Sequence, residues 1–198
     1  MEKLGQIPKG TTNKIKKKAK FKVREIELIE KKTRHDVIAF LTNVAKYVGS
    51  ESRFIHKGLT SSDILDTSFS IQLNQSSKII EKGLQDFGKE LLKLAKKHKH
   101  TLCIGRSHGI HAESTTFGLK ILGYFEENKR NIKRLQNSIK EIQTIQMSGP
   151  VGTYSNIDQR VEKIVAKKLN FSVEPVSTQI IPRDRHAQLF SSFAIIAS

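Results

Sequence analysis

Two long stripes of apolar positions dominate the sequence. The first steps by three or four residues from Leu65 to Leu94, and the second does so from Ile121 to Ile145. Such spacing places the apolar side chains on one face of an α-helix. We therefore predict two long helices, the second ending at Met147, each spanning about 45 Å at 1.5 Å per residue. Stripes of this length are typical of a helical bundle or of subunits that pack side by side.

Shorter apolar repeats predict four further helices. One covers Lys14–Lys31, and the next follows Thr33 and closes at Gly49, because glycine suits a helix C-terminus. A third runs over about Asp158–Leu169. The fourth starts at Asp184 and continues to the last residue.

Composition narrows the class of protein. No run of eighteen apolar residues occurs, so no membrane span is expected, and the first ten residues lack the apolar core of a secretory signal. The single cysteine, Cys103, excludes an internal disulfide and suits the reducing cytoplasm. Its neighbours Leu102 and Ile104 predict that it is buried in a brief extended piece.

The formal net charge of +16 raises the question of nucleic-acid binding. Lysines outnumber arginines 26 to 9 and are scattered along the chain, whereas base and phosphate readers favour arginine and interleaved aromatic side chains. The densest run, Lys14–Lys22, could contact RNA or an acidic partner. A solvated helix face explains this run more simply, so nucleic acid is not the expected partner.

The stretch Gly105–Gly118 (GRSHGIHAESTTFG) is the most unusual in the chain. If the segment is already helical, His108 and His111, three residues apart, share one face. Ser114, Thr115 or Thr116 then suits the start of the following helix, where an anion could bind. The alternative is that both histidines are ordinary surface or loop residues.

Two other polar segments stand at predicted helix starts. Arg34, His35 and Asp36 could grip an anionic ligand, or Thr33 could be a helix cap with Asp36 as its partner. Residues 60–63 (TSSD) follow His56 and offer hydroxyl groups beside free backbone N–H groups. They could bind a carboxylate or phosphate, or could simply cap the helix. The glycine-rich loop 148–154 could likewise bind a ligand or only turn the chain.

Five motifs in one order carry a family resemblance. They are RHDV at 34–37, HKGLTSSD at 56–63, GRSHGIHAESTTFG at 105–118, SGPVGTYSNID at 148–158 and STQIIPRDRHA at 177–187. The chain resembles the adenylosuccinate lyase family of the fumarase/aspartase superfamily. The resemblance implies an all-α fold, a long-helix bundle of the fumarase/aspartase type truncated at both ends. Residues 1–64 would be a remnant of the N-terminal domain, and residues 65–198 the first part of the central bundle.

The same resemblance implies an activity and a set of site residues. Family members form homotetramers and release fumarate by β-elimination, without metal or organic cofactor, from adenylosuccinate and from the succinyl-carboxamide ribotide of purine biosynthesis. His108 matches the general acid that protonates the leaving nitrogen, a task that imidazolium can perform near neutral pH. The matches to substrate contacts are Arg34, His35, Asp36, His56, Thr60, Ser61 and Gln179.

The sequence also departs from the family. The SSxMPxKxNP signature near the general-base serine does not occur, nor does the opening arginine–tyrosine pair. The sequence therefore predicts a partial lyase that is inactive alone. The alternative is an inactive helical remnant that serves oligomerisation or binds nucleic acid.

Overall fold

Seven α-helices carry most of the chain, and four short strands form two small sheets. A computed structural model describes residues 1–198. The helices are α1 Thr11–Lys18, α2 Val23–Thr33, α3 Asp36–Val48, α4 Ser61–Lys97, α5 Phe117–Ile142, α6 Gln159–Leu169 and α7 Asp184–Ala197. The strands are β1 Leu102–Ser107, β2 Ile110–Thr116, β3 Thr144–Ile145 and β4 Ser172–Val173. The predicted all-α class is confirmed, with a β-hairpin inserted between the two long helices.

The chain divides into two units, each made of discontinuous segments. The first unit comprises residues 1–67, 145–169 and 173–180. The second comprises residues 68–144, 170–172 and 181–198. The domain boundary expected between residues 64 and 65 stays a prediction.

In the first unit, an apolar face of α3 and a cluster near α6 are buried. Val37, Val44 and Val48 of α3 are buried, as the apolar spacing predicts. Gly49 ends this helix with positive φ, also as predicted. Met147, Ile157 and Val161 form the buried cluster beside α6, with side chains such as Leu59 and Ile64 packed against it.

The helix predicted over Lys14–Lys31 is wrong, because the chain forms α1 and α2 with a break between them. Ala19 leaves the helical conformation with ψ 119°. The backbone N–H of Lys22 donates to Oδ1 of the buried Asn43 at 3.0 Å. Phe21 also packs edge-on against Phe40, with ring centroids 5.8 Å apart. These contacts with α3 favour an extended segment where helical spacing alone favours continuation.

In the second unit, parts of α4 and α5 pack with α7. One buried cluster consists of Leu73, Leu135, Ile139, Ile142 and Leu189. The prediction that these apolar positions belong to the core is confirmed. A second cluster joins the far end of α4 to the start of α5 through Leu91, Ala95 and Ile121. Other positions of the α4 stripe are not buried in the single chain: Phe69, Ile80 and Phe87 are 40%, 38% and 54% exposed.

The second long helix ends earlier than predicted, at Ile142 and not at Met147. Gln143 leaves helical geometry with ψ 56°, and β3 begins at the next residue. The carbonyl oxygens of Gln143 and Ile145 accept from the N–H groups of Ser172 and Glu174 at 2.8 Å and 2.9 Å. Pairing with β4, a contact distant in sequence, therefore replaces the last helical turn.

Candidate active site

His108 lies in the tight turn of the β1–β2 hairpin. Ser107 pairs with Ile110, which leaves His108 and Gly109 as a two-residue loop. Both have positive φ, 53° and 76°, as a type I′ hairpin turn requires. The helical interpretation of His108 and His111 is wrong, because strand pairing extends through the motif. Thr116 does start α5 as expected, and its Oγ1 accepts from the Leu119 N–H at 3.2 Å.

Most side chains of the hairpin are exposed. Leu102 and Ile110 are 78% and 69% exposed, and His108 is exposed without a hydrogen bond or ion pair within the chain. Cys103 is half-buried, so the prediction of a buried cysteine is wrong, since only one face of the ribbon is partly covered. A two-stranded hairpin with little apolar packing is marginally stable by itself.

Arg34, His35 and Asp36 connect α2 to α3. Arg34 ends α2 in the left-handed conformation, with φ 54°. His35 and not Thr33 caps α3, because its Nδ1 accepts from the Ile38 N–H at 3.5 Å. The Thr33 hydroxyl instead donates to the His35 carbonyl oxygen at 3.2 Å, which corrects the expected cap. Asp36 Oδ1 accepts from the Val37 N–H, so capping occupies part of this triplet.

Thr60 and Gln179 meet at the start of α4, although they are 119 residues apart in sequence. Nε2 of Gln179 donates to Oγ1 of Thr60 at 3.4 Å. The structure thus brings together two of the predicted substrate contacts. Ser61 follows as the first helical residue, is half-buried, and its hydroxyl makes no hydrogen bond within the chain.

A buried carboxylate lies beneath this helix start. Asp63 is fully buried, and its side chain accepts from the N–H groups of Thr60, Ser148 and Gly149 at 2.8, 3.1 and 3.2 Å. Nε2 of Gln146 adds a fourth donor at 3.1 Å. Burial raises the pKa of Asp63, because desolvation disfavours the charged form, although the backbone donors act in the opposite direction. The sequence placed residues 60–63 at a helix start, where a cap was one of two interpretations, but gave no sign of the contacts between Asp63 and the loop.

His56 lies on the approach to the same helix. It has positive φ, 66°, and its Nε2 is buried without a hydrogen-bond partner. Two residues later, Gly58 has φ 73°, and the Asn156 carbonyl oxygen occupies the place that a Cβ would need. A glycine is therefore required for the loop to pack this closely.

The loop that follows β3 packs against the segment containing Gln179. The hydroxyl groups of Ser148 and Ser177 are 2.7 Å apart, and Gln146 Nε2 donates to the Thr178 carbonyl oxygen at 3.3 Å. An open cleft of about 510 Å³ lies beside these hydrogen bonds, lined by Lys57, Gly58, Leu59, Thr60, Pro150 and Asn156. Thr60, a predicted substrate contact, is thus accessible to a small molecule.

Tyr154, a possible ligand contact in the sequence, has a structural partner instead. Its hydroxyl donates to the buried carboxylate of Glu162 at 2.7 Å, and Glu162 also accepts from the Met147 N–H at 2.7 Å. Burial, followed by this hydrogen bond, raises the pKa of Tyr154 to about 12. Tyr154 therefore stays neutral and fixes the loop to α6.

The comparison with known proteins assigns the chain to a family. Residues 2–198 match the protein family described as "Lyase". The chain belongs to this lyase family. It is 48% identical over 197 residues to the adenylosuccinate lyase of Thermotoga maritima and 47% identical over 195 residues to that of Synechocystis sp.. The alignments cover 100% and 98% of this chain but 46% and 45% of those proteins, so the chain spans about half their length.

Solved structures support the same fold for this chain. A fumarate lyase from Mesorhizobium sp. BNC1 superposes with a TM-score of 0.91 at 24% identity, over 98% of this chain and 47% of that one. The 3-carboxy-cis,cis-muconate lactonizing enzyme from Pseudomonas putida gives a TM-score of 0.88 at 23% identity, with the same coverage of both chains. At these identities the likeness establishes the fold alone.

The predicted site residues of the chain fall into two groups. One group lies in the first unit and consists of Arg34, His35, Asp36, His56, Thr60, Ser61 and Gln179. His108 belongs to the second. Among the former, the structure joins Thr60 with Gln179, while the assignment of all eight as site residues stays a prediction. No group of three His, Cys, Asp or Glu side chains is arranged to hold a metal ion, and none of the helices is long and apolar enough to cross a bilayer.

Proposed function

We propose that the chain carries part of an adenylosuccinate lyase active site, which eliminates fumarate from adenylosuccinate and from the succinyl-carboxamide ribotide of purine biosynthesis. The five motifs and the 48% identity to the Thermotoga maritima enzyme support this substrate class. The hydrogen bond between Gln179 and Thr60 is the structural observation that carries the proposal. It brings together two of the predicted substrate contacts, which lie in different motifs and are 119 residues apart in sequence.

Thr60 and Ser61 are proposed to bind a carboxylate of the succinyl group. The Thr60 oxygen accepts from Gln179, which leaves its own proton available to a ligand. The Ser61 hydroxyl is uncommitted, and the first turn of α4 presents free N–H groups and the positive end of the helix dipole. These groups together suit a carboxylate better than a neutral ligand. Gln179, with Arg34, His35, Asp36 and His56, would complete the substrate contacts.

His108 is proposed as the general acid. Breaking the carbon–nitrogen bond leaves electron density on the nitrogen, and an amine or amide nitrogen leaves poorly as an anion. An imidazolium can deliver the proton as the bond breaks, which contributes about 10²- to 10⁴-fold in typical enzymes. The tip of the hairpin holds the His108 ring away from its own chain, where a ligand can reach it.

The substrate pocket is proposed to form where neighbouring copies of the chain meet, with a homotetramer as the expected assembly. Exposed apolar side chains support this assembly: Phe69 and Phe87 on α4 and Ile110 on the hairpin. Burial of such side chains between subunits is favourable at about 25 cal/mol per Å².

Turnover by these residues alone is not expected, because the signature of the general-base serine loop does not occur among them. The test mixes the purified chain with the second half of the Thermotoga maritima adenylosuccinate lyase and follows fumarate release from adenylosuccinate. We expect fumarate from the mixture, none from either part alone, and loss of activity with His108→Ala. A mixture that assembles without releasing fumarate would contradict the proposed function. Release by the chain alone, lost with His108→Ala, would contradict only its inactivity.

A further inference from the structure

Asp63 joins separate segments of the first unit through one carboxylate. Oδ2 accepts from the Thr60 N–H, and Oδ1 accepts from the N–H groups of Ser148 and Gly149 and from Nε2 of Gln146. The partners in the loop are more than eighty residues away in sequence. Because Asp63 is fully buried, it acts on any ligand through these neighbours and not by direct contact.

At this helix start Asp63 bonds to the Thr60 N–H, and the Thr60 hydroxyl is not used as a cap. A threonine before the first helical residue normally turns its hydroxyl back onto an N–H group of the first turn. Here the Asp63 N–H donates to the Thr60 carbonyl oxygen at 3.2 Å, and the Asp63 side chain bonds back to the Thr60 N–H. This is the reciprocal half of a capping box, supplied by aspartate. The Thr60 hydroxyl is left to meet Gln179.

We propose that Asp63 is a positioning residue for carboxylate binding: it caps α4 and fixes the loop 146–149 so that the Thr60 hydroxyl stays available to the ligand. The inference rests on the proposed function, since it assumes that Thr60 binds a carboxylate of the substrate or of fumarate. A buried carboxylate with a purely structural role would stabilise the fold without any specific link to the Thr60 hydroxyl.

A double-mutant cycle distinguishes these roles. Fumarate binding to the purified chain is measured by NMR titration for the unsubstituted chain, Asp63→Asn, Thr60→Val and the double variant. Asparagine has one acceptor oxygen in place of two, so either the Thr60 N–H or the loop loses its partner, and the Thr60 hydroxyl is no longer held in place beside Gln179. Each single variant should weaken fumarate binding about tenfold, as for loss of a hydrogen bond to a charged group. The double variant should weaken it about tenfold as well, and not a hundredfold, because both changes remove the same contact.

Glu162→Gln is the matched control, because Glu162 is equally buried and also accepts from a loop N–H, that of Met147. This variant should lose stability in urea while keeping fumarate affinity within about twofold, since it makes no contact with Thr60 or Gln179. Should Asp63→Asn fail to fold, Asp63→Glu replaces it. Glutamate is a usual capping-box residue, so fumarate affinity within about threefold of the unsubstituted chain is expected.

The outcomes separate this inference from the proposed function. No fumarate binding by the unsubstituted chain would contradict carboxylate binding at Thr60 and, with it, the inference, whereas the proposed function is decided by fumarate release from the mixture with the second half of the Thermotoga maritima enzyme. Binding by the unsubstituted chain with unchanged affinity in Asp63→Asn, or additive losses in the double variant, would overturn the inference alone. A tenfold loss with Asp63→Glu would do so too, because the hydroxyl should remain free there.

Discussion

The helix start at Thr60 and the hairpin tip at His108 are built in opposite ways. Around Thr60, hydrogen bonds connect the buried Asp63, the loop 146–149 and the segment 177–179. Around His108, a ribbon of two strands holds an exposed ring by its turn alone. The proposed binding groups are thus organised within the chain before any ligand arrives, while the proposed proton donor depends on what covers the hairpin.

The largest expected effect of a substitution on this comparison is on catalysis at the hairpin. His108→Ala should reduce fumarate release by the mixture with the second half of the Thermotoga maritima enzyme by about 10²- to 10⁴-fold, because the proposed general acid is lost. Its urea unfolding should be unchanged, since the side chain is exposed and makes no hydrogen bond or ion pair within the chain. His100→Ala, at another exposed histidine, is the control. Equal losses for both variants would contradict the role of His108.

Stability should depend on the helical core and not on the apolar side chains of the hairpin. Leu135→Ala removes a fully buried side chain and should lower the free energy of unfolding by about 2–5 kcal/mol. In the monomeric chain, Ile110→Ala, at an exposed position of β2, should change it by no more than about 0.5 kcal/mol. Urea unfolding followed by circular dichroism measures both. A large cost at Ile110 would mean that the hairpin is covered in solution.

Two glycines with almost equal φ angles sharpen the contrast. Gly58 and Gly109 have φ 73° and 76°, but a Cβ on Gly109 would meet nothing within 4 Å, whereas on Gly58 it would meet the Asn156 carbonyl oxygen. Gly109→Ala should therefore cost only the backbone strain, about 1–2 kcal/mol. Gly58→Ala should cost that and about 1–3 kcal/mol more, because the packed loop must move. Equal costs in urea unfolding would contradict tight packing around Thr60.

The smallest expected effect concerns acid stability of the first unit. Hydrogen bonds from Lys14 and then Ser50 lower the pKa of Glu51 from 4.5 to about 2. Because the folded-state value is the lower one, this stabilisation is present above pH 4.5 and is lost as pH falls toward 2. Glu51→Gln should therefore lose less stability than the unsubstituted chain over this window, measured by urea unfolding at both ends. Glu27→Gln is the control. If Glu27→Gln and Glu51→Gln changed the pH dependence of stability equally, the ion pair between Lys14 and Glu51 would be contradicted.

The sequence was most informative where contacts are local or periodic. The α5 stripe through Leu135 and Ile139 predicted buried positions, and Gly49 predicted a helix end, because both depend on residues a few positions apart. The Thr60 helix start was predictable for the same reason. The resemblance to the family predicted which polar residues contact the substrate, and the hydrogen bond between Thr60 and Gln179 agrees with that prediction.

Long-range contacts account for what the sequence did not predict. The spacing of Ile15 and Ala19 continues a helix, and contacts with the distant Asn43 and Phe40 explain why the chain breaks before Lys22. The hairpin escaped prediction because its turn is His-Gly and not a common turn pair, and because exposed strands lack a clear apolar face. The loop contacts of Asp63 have no local signal at all.

The left-handed backbone at His108 restricts how this position can vary. Asparagine, aspartate and glycine tolerate φ near 53°, whereas valine, isoleucine or threonine would strain the turn. If the proposed proton donation were not needed, asparagine or glycine could replace His108 and the hairpin would keep its structure. Imidazole at this turn is therefore not required for folding, and His108→Asn should abolish the proposed proton donation while leaving the hairpin intact.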